Sequence, residues 1–177
     1  MPSIKDFTRY IVHLVIRPDA AKRKFMAKYC SRIKGKRILE IGSGKPVNGK
    51  YIYSVKDKFH ASNRFECTDI IPEFGHKILD ITTMQLKNKY DIIVCFNVLE
   101  HVFDFNSAIR NMHAALRNKG QLLVLVPVFY PLHDEPHDYW RYTEHSLRKL
   151  FSGFRKITID HSGLRQFPSF YFVKAEK

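Results

Sequence analysis

Arg37-Ile-Leu-Glu-Ile-Gly-Ser-Gly44 is the stretch on which the fold turns. Residues 37–41 form a short apolar run of strand character, and the chain then passes straight into two glycines separated by one residue. Glycines at the end of a strand let backbone N–H groups come close to a ligand. Downstream, Ile52, Val55 and Phe59 fall on one face at a weaker helical spacing. The expectation is a strand, a glycine turn and a helix whose positive end points at an anion. A dinucleotide fingerprint requires a third glycine three residues after Gly44, where Val47 stands, so nicotinamide binding is disfavoured.

Working outward, Asp19 is a candidate N-cap for a helix carrying Ala21, Phe25, Tyr29 and Ile33, with Met26 and Cys30 beside them and Gly35 as a stop. Past the glycine turn, strands are expected at residues 65–70, 77–79 and 90–97, and the run Ile92 to Phe96 is apolar on both faces, as in the interior of a parallel sheet. Phe105, Ala108, Ile109, Met112 and Leu116 mark a helix stopped by Asn118 and Gly120, followed by a strand at 122–126 closed by Pro127. A long loop covers 128–142. Thr143 can cap a helix carrying Leu147, Leu150 and Phe151, and two closely spaced strands, 156–160 and 170–173, complete the chain. This alternation predicts an α/β three-layer sandwich around a mostly parallel seven-stranded sheet, its last strand antiparallel. One domain is expected, with residues 1–35 as a helical extension and 36–177 as the core. In such sheets ligands bind outside the carboxyl ends of the strands, where the strand order reverses.

Composition narrows the classes. At 177 residues and 45% hydrophobic content the chain can bury a single sizeable core without cross-links. Cys30, Cys67 and Cys95 are odd in number and lack any C-x-x-C pair, which disfavours a disulfide scaffold or a zinc ribbon and fits a reducing cytosol. The apolar run Tyr10 to Ile16 is too short to span a bilayer and lacks a small-residue cleavage site. The net charge of +13 attracts anions, nucleic acid included, but is spread over several segments.

Asp69 ends the second strand, where a carboxylate can accept hydrogen bonds from ribose hydroxyls. Ile38-Leu-Glu-Ile-Gly-Ser-Gly44, Asp69, Leu79-Asp80-Ile81 and Tyr90 to His101 occur in the order found in class I S-adenosylmethionine-dependent methyltransferases, and from Arg37 onward the chain resembles that family. The resemblance implies a Rossmann-like fold with S-adenosyl-L-methionine as cofactor. By that resemblance Gly42 and Gly44 hold the methionine end, Glu40 supports the loop and the amino group, Asp69 takes the ribose, Asp80 reaches the adenine amino group and Asn97 faces the methionine portion. Pro46 stands where the family usually has another glycine, and the interval from Glu40 to Asp69 is longer than the family's.

Acceptor chemistry falls to Glu100-His101 and to Pro131-Leu-His-Asp-Glu-Pro-His-Asp-Tyr-Trp-Arg-Tyr-Thr143. The second stretch resembles a Pro-His-Asp-Tyr-Trp-Arg-Tyr-Thr element of one methyltransferase subgroup. Glu100 suits a capping role near a helix start, while His101, His133 and His137 are candidate bases. Arg141 offers a planar fork for an anionic acceptor, and Tyr139 and Trp140 offer a stacking wall. A purely structural reading of the same loop buries Trp140 and pairs Arg141 with Asp138. Pro131 and Pro136 argue against a helix presenting His133 and His137 together, so no metal ligand set is assigned. The expected acceptor is small or medium-sized, with an O-position on a sugar or metabolite in view. An RNA methyltransferase remains an alternative on charge, although Asn97 is followed by Val-Leu-Glu and not by a base-flipping Pro-Pro-Tyr. A non-catalytic module that binds S-adenosylmethionine is the other alternative.

Overall fold

The computed structural model describes residues 18–177; the run Tyr10 to Ile16 lies outside the described residues. Helix α1 (Pro18–Tyr29) includes Asp19 within its span, so that residue is not its N-cap. The helix buries Phe25 and Met26 and ends four residues before the expected Ile33. Strand β1 (Arg37–Ile41) follows, buried from Ile38 onward.

Between β1 and β2 (Arg64–Asp69) the expected helix is absent. Only a 3-10 turn at Lys56–Lys58 forms; Val55 and Phe59 are buried, but Ile52 is 60% exposed. The reason is local. Asn48 and Gly49 both take positive φ in a turn closed by mutual hydrogen bonds between Val47 and Lys50, and a right-handed helix cannot pass through such a pair. Pro46 also disfavours helical backbone at Lys45.

The remaining elements are β3 (Lys77–Ile78), β4 (Tyr90–Phe96), α2 (Phe105–Ala115), β5 (Leu116–Pro127), α3 (Glu144–Leu150), β6 (Lys156–Leu164) and β7 (Phe167–Glu176). Asp104 caps α2 through the Ser107 N–H, and Thr143 caps α3 in a reciprocal box with Ser146. The helix stop expected at Asn118 and Gly120 is instead a kink inside β5. Lys119 there takes a φ of 64°, and the pairing with β4 jumps from Tyr90 opposite Leu116 to Ile92 opposite Gln121. The closing hairpin is longer than expected, its two strands separated only by Arg165 and Gln166.

The seven strands run in the order β3-β2-β1-β4-β5-β7-β6. All are parallel except β7, which is antiparallel to both β5 and β6. One face of the sheet packs on α2 and α3 around Ile93, Met112, Leu122 and Phe151. The other is covered by α1 and the turn before β2, where Phe25 and Tyr29 stack on Phe172 at centroid distances of 4.7 and 4.9 Å. Strand order reverses between β1 and β4, so the crevice lies at the carboxyl ends of those two strands.

Candidate active site

The end of β1 is fixed by one buried carboxylate. Glu40 accepts hydrogen bonds from Ser43 Oγ at 2.8 Å, from Ser54 Oγ, and from the Val55 N–H at 2.6 Å. It therefore staples the glycine turn to the long segment that replaces the expected helix. Gly42 and Gly44 sit at φ of 71° and 77°. A Cβ on Gly42 would overlap Val98 Cγ2, and one on Gly44 would press on Tyr53.

Asp69 closes this turn from the neighbouring strand. Its Oδ2 accepts the Gly44 N–H at 2.9 Å and its Oδ1 the Ile71 N–H at 3.1 Å. His76 Nε2 hydrogen-bonds the Gly44 carbonyl at 2.9 Å, and Tyr51 packs on the His76 ring. Ile70, Ile71 and Ile78 stand exposed beside this cluster as an apolar rim. Asp80 is half-buried, and its Oδ1 accepts both the N–H and the hydroxyl of Thr82 at 2.7 Å. Asn97 follows β4 with a φ of 54°, exposed, its N–H bonded to the Leu125 carbonyl at 2.8 Å. Because no helix follows β1, no helix dipole faces this edge there; backbone N–H groups and side chains make the site. Nothing in the sequence singled out Ser54, Tyr51 or His76, since each reaches the turn through the irregular segment or a neighbouring strand.

On the far side of β4 a 3-10 turn, Leu99–His101, carries Glu100 into the core. Glu100 is fully buried and neither carboxylate oxygen has a hydrogen-bond partner among the described residues. Burial pushes its carboxyl up to about 8, and burial also holds the His101 imidazole below the usual histidine value. The 128–142 loop is pinned to this turn: the N–H groups of Tyr139 and Trp140 donate to the Glu100 carbonyl at 2.8 and 3.2 Å, and Trp140 Nε1 donates to the Val102 carbonyl at 3.1 Å.

Arg141 grips Asp138 in a two-pronged pair at 2.6 and 2.8 Å and also donates to the carbonyls of Tyr130, Pro131 and Trp140. Burial raises the Asp138 carboxyl, but the Arg141 hydrogen bonds and the His133 N–H outweigh it and hold it at about 2. The guanidinium is thereby spent inside the loop. His137 is exposed, with Nδ1 2.7 Å from the Tyr139 hydroxyl. Phe129, Tyr130, Leu132, Tyr139, Trp140 and Arg141 are among the residues lining a cavity of about 440 Å³. The structure thus brings Glu40, Gly42, Gly44 and Asp69 into one cluster, and the rings of His101 and His133 into a second, which His137 joins only through its backbone carbonyl.

Residues 12–156 match the methyltransferase domain family. Among curated proteins no sequence matches the chain. Among solved structures, 1,6-didemethyltoxoflavin-N1-methyltransferase of Burkholderia thailandensis superposes with a TM-score of 0.64 at 18% identity, covering 98% of this chain and 86% of that one. Phosphoethanolamine N-methyltransferase 2 of Haemonchus contortus gives 0.68 at 14% identity, with 89% of this chain and 52% of that one covered. The CurJ carbon methyltransferase gives 0.63 at 17% identity over 84% of this chain and 50% of that one. The chain spans about half the length of these last two. The chain belongs to the methyltransferase domain family, and its seven-stranded Rossmann-like fold is that of the class I S-adenosylmethionine-dependent methyltransferases.

Proposed function

We propose that the chain transfers a methyl group from S-adenosylmethionine to a small or medium-sized acceptor held in the cavity lined by the 128–142 loop. The observation that carries this reading is the glycine turn at the β1–β4 crevice, held from below by Glu40 and from the side by Asp69. In this reading the Gly42–Gly44 backbone takes the methionine end, Asp69 the ribose, and Asp80 the adenine amino group, with Ile70 and Ile71 against the ring. Asn97 faces the methionine portion.

S-adenosylmethionine supplies an electrophilic methyl on a sulfonium, so the protein's task is proximity, in-line alignment and removal of one acceptor proton. The cavity's volume of about 440 Å³ falls within the range of small-ligand pockets, roughly 300–1,000 Å³, and favours a metabolite or sugar hydroxyl over a polymer. His137, exposed beside Tyr139, is the base in this account. Arg141 acts as the clamp of the loop and not as a fork for an anionic acceptor. Three free cysteines support a reducing, cytosolic setting, and no helix among the described residues is long and apolar enough to cross a membrane.

Radiolabelled S-adenosylmethionine offered with a panel of hydroxylated small molecules and with RNA tests the reading. Label is expected in the small-molecule fraction. His137→Ala is expected to lower kcat at least tenfold with an unchanged melting temperature. Arg141→Ala, whose side chain is 25% exposed, is expected to cost about 2 kcal/mol of stability, below the ~3–5 kcal/mol of a fully buried pair. Label in RNA alone, or full turnover by His137→Ala, would contradict it.

A further inference from the structure

Buried carboxylates are almost always hydrogen-bonded or bound to a cation, because a desolvated charge without a partner is strongly unfavourable. Glu100 breaks that rule: among the described residues, its two oxygens are the only buried side-chain polar atoms without a partner. Two imidazoles stand beside it. His101 Nε2 lies 3.9 Å from Glu100 Oε1, and the His101 and His133 rings pack edge to face with centroids 4.8 Å apart. One ligand atom from each of Glu100, His101 and His133 lies within 4.8 Å of the other two.

The hydrogen bonds of both rings fix their tautomers. His101 Nδ1 is 2.9 Å from the His137 carbonyl, and His133 Nδ1 is 3.2 Å from the Pro131 carbonyl and 3.1 Å from Asp138 Oδ2. Those partners only accept, so Nδ1 carries a proton in each ring, and in the neutral imidazole Nε2 keeps its lone pair. Imidazoles that bind metals are oriented in this way, by a carbonyl or a carboxylate on the other nitrogen. Asp138 is itself held by Arg141, so the orienting shell is rigid.

We propose that Glu100, His101 and His133 form a divalent transition-metal site of two imidazoles and one carboxylate, for which Zn2+ is the fitting cation. Donors around a tetrahedral Zn2+ stand roughly 3.4 Å apart, so the cation draws the three groups, now within 4.8 Å of one another, closer by about an ångström. Three protein donors leave a position open for water or an acceptor oxygen. The side chains of His101 and His133 are 21% and 17% exposed, which gives the site its access to solvent. The inference rests on this cluster and stands whichever acceptor the enzyme takes. The His133–His137 pairing weighed from sequence spacing is not involved, because His137 contributes its carbonyl to His101 instead.

The test is Zn2+ titration of the full chain after dialysis against a chelator, read by calorimetry and by metal content after gel filtration. One Zn2+ per chain is expected. Glu100→Gln and His133→Ala are each expected to weaken binding at least tenfold, while the exposed His145→Ala leaves it unchanged. Glu100→Gln replaces the buried, unpartnered carboxyl by a neutral group of nearly the same shape, so its metal-free melting temperature should stay close to that of the parent, showing that it folds. Substitution of Co2+ should give visible absorption that Glu100→Gln lacks. Absence of stoichiometric binding, or Zn2+ bound equally by the parent and both ligand variants, overturns the site. Retained S-adenosylmethionine affinity in that chelated protein would show that the metal inference alone had failed.

Discussion

Gly42 stands at a φ of 71° with Val98 pressed against the space a Cβ would need. Gly42→Ala is expected to lower stability by about 1–3 kcal/mol and to weaken S-adenosylhomocysteine binding; an unchanged melting temperature in calorimetry would show that the turn tolerates a side chain. This residue and Gly44 were legible in the sequence because their requirement is local: a strand ends and the backbone must turn; Glu40, two residues before the turn, was picked out only by the family resemblance. Asp69 was legible as an acid at a strand end, but not as the group that accepts the Gly44 N–H, which depends on the register of β2 against β1. Glu100 was read as a cap. Its burial follows from the closure of a loop pinned to its carbonyl by Tyr139 and Trp140, a contact that spacing along the chain does not show.

Element by element, the strands were the most readable, since continuous apolar runs such as Ile92 to Phe96 fit little else. The helix expected around Val55 failed because Asn48-Gly49 reverses the chain and Glu40 captures the Val55 N–H. Likewise Gly120 marks a kink in a strand and not a helix end; the same residue type serves both purposes. The sheet's parallel edge is tied by Glu66 of β2, which accepts from Lys77 of β3 at 2.6 Å and from the Tyr90 hydroxyl of β4 at 2.8 Å. Burial raises the Glu66 carboxyl, and these partners outweigh it and hold it below the usual carboxylate value. Since the folded value lies below the unfolded one, about 4.3, the contribution is complete above that pH and is lost as pH falls toward the folded value. Melting temperature is thus expected to fall on acidification below about pH 4.5, with a smaller fall in Glu66→Gln, which has no such proton to take up. Parallel pH profiles for the two proteins would remove Glu66 from this role.

At the scale of the molecule, seven strands, one crossover reversal and one antiparallel strand place two side-chain clusters on either side of β4. One gathers Glu40, Gly42, Gly44 and Asp69 at the end of β1; the other gathers Glu100, His101 and His133. The net charge of +13 is a property of the whole surface and does not by itself choose an acceptor. Binding of S-adenosylmethionine in the β1–β4 crevice is measured by calorimetric titration of the full chain with S-adenosylhomocysteine. One site per chain is expected, weakened by about 1–3 kcal/mol, roughly five- to 150-fold, in Asp69→Ala. No binding by the folded parent protein, or equal affinity in the two, would contradict the account.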